Sequence, residues 1–209
     1  MLFNYEPVIA AAAILGLWMV GVTHLRFKVM LYGLQTVIIG GLAVWIGHQH
    51  HEFSLVAAGC AVVLLKGVAV PIFLRWLMLH IGCRRDEGLV LSPPILLLLT
   101  VGALAGLFLL RPYQAEVSVN TLAAIGILLI GMVLMVSRRL AVSQIMGFLV
   151  LENGIFYYTI SQPHSMPFLV EMGMLLDILV ATMIAGLIAF RINNSFEHID
   201  VTALSQLRG

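Results

Sequence analysis

Seven long apolar runs, near residues 8–25, 28–47, 53–76, 91–110, 120–137, 142–161 and 167–190, leave this chain few ways to fold. Each is close to the ~20 residues that an α-helix needs to cross the hydrocarbon of a bilayer. None alternates polar with apolar residues as a barrel strand does, and in hydrocarbon only helices or closed barrels satisfy every backbone N–H and C=O. The expected fold is all-α and integral to a membrane, a bundle of about seven transmembrane helices. Composition agrees, with 61% hydrophobic and 10% charged residues, against about 45–50% apolar and about 25% charged in soluble domains. One soluble core of 209 residues could not bury that much apolar surface.

The basic residues give an orientation. Arg26, Lys28, Arg84, Arg85, Arg138, Arg139, Arg191 and Arg208 fall after helices one, three and five and in the tail, with Arg75 near the end of helix three; the opposite loops hold only Arg111. The positive-inside rule then puts the N-terminus outside and the C-terminus in the cytoplasm. Met1 to Pro7 contain Glu6 and no basic residue, so the first run reads as a retained span rather than a cleaved signal. The loops are short and leave no room for a soluble catalytic domain, so any chemistry belongs to the membrane. Net charge is +1, which points to neither nucleic acid nor an acidic ligand.

Lys66, Glu152, Asp177 and Glu171 stand inside or at the edge of apolar runs. A charge at mid-bilayer costs at least about 2.5–3.5 kcal/mol on insertion scales, so such groups are functional-site candidates by default. Lys66 lies near the centre of its run between VVLL and GVAV, too deep to reach the interface easily. Glu152 follows LVL, with Asn153 beside it as a source of hydrogen bonds, and Asp177 sits between EMGMLL and ILVATMIAG. Burial moves carboxylates and lysines toward the range in which protons exchange near neutrality. Two readings stay open: a proton relay, or a structural ion pair of Lys66 with Glu152, with Asp177 or with a neighbouring subunit. Glu171, four residues after Pro167, reads as interfacial. Pro71 should kink helix three or open a cavity near Lys66, whereas Pro93 and Pro94 stand at the start of helix four, where proline is tolerated.

Other candidates carry less. His48-Gln49-His50-His51-Glu52 offers imidazole and carboxylate groups, but on a short outer loop without fixed geometry. Cys60 and Cys83 have no CxxC partner, and no cofactor or metal site is expected in this chain. Trp76 with His80, and Tyr157 and Tyr158 with His164, fit interfacial belts. Helix two opens after Arg26-Phe27-Lys28 with an early Gly33, and helix six opens after Arg138-Arg139 with Gly147; each is followed by a helix with one ionisable residue, Lys66 or Asp177. This suggests two three-helix units, residues 1–90 and 120–209, joined by a connecting helix and loop at 91–119.

From Arg138 through MGFLVLENG to HIDVTALSQLRG, the chain resembles the three-helix K subunit of respiratory complex I and the C subunit of multisubunit cation antiporters. The ending Ile199-Asp200 to Leu207-Arg208-Gly209 is the most specific part. The whole chain resembles the hydrogenase-4 component E family, on Glu152-Asn153-Gly154 in helix six, Asp177 in helix seven and Lys66 in helix three. It departs from the K-subunit pattern where Gly33-Leu34 is followed by Gln35 instead of an acid, and where the acid after Gly147 arrives only at Glu152. Three residues turn a helix by about 300°, so Glu152 still faces roughly the expected way.

The resemblance implies a non-catalytic membrane-arm subunit of a complex I-like, formate hydrogenlyase-type [NiFe] hydrogenase in the inner membrane. Glu152, Asp177 and Lys66 would lie on a proton or cation path, with Gln35, Asn153 and Glu171 as contributors. The implied partners are antiporter-like membrane subunits and, through them, a peripheral nickel–iron and iron–sulfur arm. A subunit of a stand-alone Na+/H+ antiporter or of a quinone-reducing complex, and a structural spacer, are the competing expectations.

Overall fold

The apolar runs fold into helices whose ends fall within a few residues of the hydropathy boundaries. A computed structural model describes residues 6–81, 85–86, 90–109 and 118–162. Asp177, Glu171, Cys83, His164, the seventh apolar run and the Ile199–Gly209 ending lie outside the described residues. The elements are α1 (Glu6–Gly21), α2 (Leu25–Gln49), α3 (Phe53–Ala61), a π-helical segment (Val62–Ala69), α4 (Val70–Ile81), α5 (Pro93–Leu109), α6 (Val119–Val136) and α7 (Ala141–Ser161). No strand occurs among the described residues. Six of the seven runs are therefore helical, α3, the π segment and α4 forming one continuous rod. Leu25–Gln49, Phe53–Leu79 and Val119–Val136 are long and apolar enough to cross a membrane, while Pro7–Gly21 and Pro93–Leu109 are shorter apolar helices.

Local chemistry sets the helix ends. Ser118 caps α6 by accepting the Thr121 N–H at 3.1 Å. Pro93 opens α5, where its missing N–H would have had no helical partner. The histidine run closes α2: Glu52 N–H donates to Gly47 O at 2.9 Å, His51 N–H to His48 O at 3.4 Å, and His51 takes a left-handed φ of 57°. This is the Schellman arrangement with histidine where glycine is usual. The histidines thus build a tight exposed turn between α2 and α3.

Pro71 acts on the helix before it. Its ring removes the N–H that would meet the Gly67 carbonyl, and the preceding eight residues wind as a π-helix, with Val70 N–H donating five residues back to Leu65 O. The expected kink is thus a change of winding, and it falls on the turns that carry Lys66.

Glycines set the helix spacing. Gly40 and Gly47 of α2 face α3 and the π segment so closely that a Cβ at Gly40 would stand 2.7 Å from Val63 Cγ2, and one at Gly47 2.8 Å from Val56 N. The α6–α7 seam is built the same way: a Cβ at Gly147 would meet Met135 N at 2.7 Å, and one at Gly154 would meet Leu128 N at 2.8 Å. Lipid tails are as apolar as leucine, so helices in a bilayer associate through such backbone-close contacts. Of the three long apolar helices, α2 is the most enclosed, with 56% of its most apolar stretch buried against 39% for Val119–Val136 and 11% for Phe53–Leu79. The outer faces of the π segment, α4 and α5 expose Leu64, Leu65, Ile72, Leu98 and Leu109. Contiguous apolar surface of that kind suits lipid and not water.

Candidate functional site

Because α2 is central, the polar side chains on its buried face meet those of its neighbours. Lys66, in the π segment, points inward, and its Nζ lies 2.9 Å from Glu152 Oε2 on α7, with both side chains almost wholly buried. Of the partners left open for Lys66, the fold brings Glu152. Asn153, expected to support Glu152, turns to α2 instead: its Nδ2 donates to Thr36 Oγ1 at 2.8 Å and reaches Gln35 Oε1 at 3.4 Å. Gln35 Nε2 donates in turn to Ala12 O of α1 at 2.9 Å, and Thr36 Oγ1 to Tyr32 O at 2.9 Å. Lys66, Glu152, Asn153, Gln35 and Thr36 thus form one buried polar layer spanning α1, α2, the π segment and α7. The close approach of α1 belongs to it, since a Cβ at Gly16 would sit 3.0 Å from Gln35 Nε2.

A second buried cluster went unforeseen. Lys28 and Arg138, expected as loop charges that orient the chain, are 1% exposed, and both engage Asp86, itself 4% exposed. Lys28 Nζ donates to Asp86 Oδ2, and Arg138 Nη1 lies 3.4 Å from the same oxygen. Arg138 Nη2 also donates to Val20 O at the end of α1. Backbone bonds lock the surrounding turns, Asp86 N–H to Thr23 O at 2.9 Å and Val90 N–H to Ser137 O at 3.2 Å. Two cations therefore share one carboxylate away from water. Burial pulls the Arg138 guanidinium below its ordinary value, and the facing Asp86 carboxylate opposes that shift. The signal was present in the sequence: Lys28, Asp86 and Arg138 occupy the turns after helices one, three and five, which must converge at one end of an up-and-down bundle. Asp86 was hidden because it stands among basic neighbours.

The other candidates among the described residues fall outside both clusters. Tyr157, expected at an interface, is buried, and its hydroxyl pairs with Asn120 Oδ1 at 3.1 Å. Trp76 is 45% exposed on the outer face. Cys60 is a free thiol on the exposed side of α3. No group of three or more His, Cys, Asp or Glu that could hold a metal ion occurs among the described residues.

Apolar helices joined by short turns around a buried ion pair define a multi-pass helical membrane protein with an ionisable interior. The chain belongs to the family of the uncharacterized protein Rv0085 of Mycobacterium tuberculosis, with which it is 30% identical over 190 residues, 88% of this chain and 86% of that protein. It is more distantly related to hydrogenase-4 component E of Escherichia coli K12 and of Shigella flexneri, 23% identical over 198 residues and 92% of each chain. No family model matches the chain. No solved structure matches it either.

Proposed function

We propose that this chain is a non-catalytic membrane subunit of a hydrogenase-type multisubunit complex, related to formate hydrogenlyase, in which its buried charges take part in proton or cation translocation. The relation to hydrogenase-4 component E supports membership of such a complex. The Lys66–Glu152 pair at 2.9 Å, held deep between helices, carries the ion-translocating part of the reading. A buried pair of this kind contributes little net stability, because desolvation of both groups offsets their attraction. Its charges can, however, exchange a proton at small energetic difference once water or a neighbouring group competes for either partner.

In this reading Glu152 carries the proton, Lys66 in its π-wound turn is the counter-charge that sets when the proton is released, and Gln35 and Asn153 hold the layer in register. Asp177 and Glu171, outside the described residues, are further candidates for the same role on the strength of the sequence alone. Antiporter-like membrane subunits would flank this chain, and the nickel–iron centre and iron–sulfur clusters would belong to a peripheral arm on the cytoplasmic side of the inner membrane. The chain itself holds two cysteines, too few for a cluster.

The test is Glu152→Gln, with Asp177→Asn beside it, in the assembled complex reconstituted into liposomes. Translocation per turnover should fall while subunit composition stays intact. Normal translocation in a normally assembled Glu152→Gln complex would refute the reading. Loss of assembly with unchanged translocation per remaining complex would favour a structural spacer.

A further inference from the structure

The Lys28–Asp86–Arg138 cluster has no part in the path above, yet one buried face of α2 places polar residues between the two. On α2, Lys28, Tyr32, Gln35 and Thr36 recur at i, i+4, i+7 and i+8, the spacing of one helix face, and all four are buried. From Lys28 to Thr36 the helix rises about 12 Å. At Thr36 the face meets Asn153, and Asn153 is the chain neighbour of Glu152. Beyond that level the buried face becomes apolar, with Ile39, Leu42 and Ala43. The polar stripe therefore runs from the Lys28 end of α2 to Asn153, the residue next to Glu152 on α7.

Two further features suit proton movement along it. Among the described residues, two cations share one carboxylate in this desolvated site. Of the two, lysine can release a proton near neutral pH and a guanidinium does not. Buried polar atoms with no protein partner also mark the route: Ser137 Oγ, Arg138 Nε and Ser143 Oγ around the α6–α7 turn, and Asn153 Oδ1 at the inner end. Buried polar atoms in native proteins are paired with protein or with ordered water, so these four are places where water could be held.

We propose that Lys28 is the proton-exchange site at the mouth of this half-path, passing protons along the Tyr32–Gln35–Thr36 face to Glu152. The Lys28 amine takes a proton from water at the end where the α1–α2, α4–α5 and α6–α7 turns meet, and becomes an ammonium. It then gives that proton to water held along the α2 face and returns to the amine, and the Glu152 carboxylate receives it and releases its hold on Lys66. Asp86 and Arg138 face Lys28 and hold it in place at the mouth.

This inference rests on the translocation reading and is tested beside it, in the assembled complex in liposomes. Lys28→Arg keeps the charge and a partner for Asp86 but cannot release a proton at neutral pH. Tyr32→Phe removes one hydroxyl from the face and no charge. Both variants should assemble and lose translocation per turnover by about tenfold or more, with hydrogen-evolving turnover measured alongside. Wild-type translocation in either variant, with Glu152→Gln impaired, overturns the Lys28 path and leaves the translocation reading standing. Wild-type translocation in all three overturns both. Failure of both conservative variants to assemble makes the cluster a structural clamp and also overturns the proposal.

Discussion

Replacing Lys66 with methionine removes the ammonium 2.9 Å from Glu152 Oε2 and leaves a carboxylate buried between helices. Breaking a buried pair from one side costs about 3–5 kcal/mol. Proton uptake caps that figure, since neutralising an ordinary carboxylate at pH 7 costs about 3–4 kcal/mol. Lys66→Met should therefore lower stability by about 3–4 kcal/mol at pH 7. Because protonation becomes cheaper in acid, the deficit should shrink by about 1.4 kcal/mol for each pH unit lowered. Glu152→Leu strands the ammonium instead, costs about 4–5 kcal/mol, and recovers in the opposite direction as pH rises. The double variant carries neither charge and should return to within about 1 kcal/mol of the parent, or exceed it. The assay is reversible unfolding of the full chain in mixed micelles by SDS, followed by the fluorescence of Trp18, Trp45 and Trp76. Additivity of the two single effects within about 0.5 kcal/mol would show that the two residues do not pair.

Two further outcomes follow from packing and charge. Gly147→Leu, whose Cβ would meet the Met135 backbone nitrogen at 2.7 Å, should prevent accumulation of folded protein, whereas Gly102→Ala and Gly106→Ala, with nothing within 4 Å, should leave membrane levels unchanged; immunoblots of membrane fractions decide. Asp86→Asn removes the carboxylate that the buried Lys28 and Arg138 share, and should destabilise the protein by about 3–5 kcal/mol, read as a lower melting temperature in detergent.

The sequence by itself determined that this chain is helical and lives in lipid, since hydropathy is a local sum over about twenty residues and needs no partner to be evaluated. It also singled out Lys66 and Glu152, because an ionisable group inside an apolar run is costly wherever it points. Tertiary structure decided everything that depends on register between helices. The Gly40–Val63, Gly47–Val56 and Gly147–Met135 contacts set how each helix slides along the next, and only then does Lys66 fall opposite Glu152. The winding forced ahead of Pro71 decided which way Lys66 turns, and the approach of α2 drew Asn153 away from its own neighbour toward Thr36. Lys28, Asp86 and Arg138 were legible only as separate loop charges. Their burial in one site, 58 residues apart for Lys28 and Asp86, comes from three turns closing at the same end of the bundle, a convergence that no window of sequence contains.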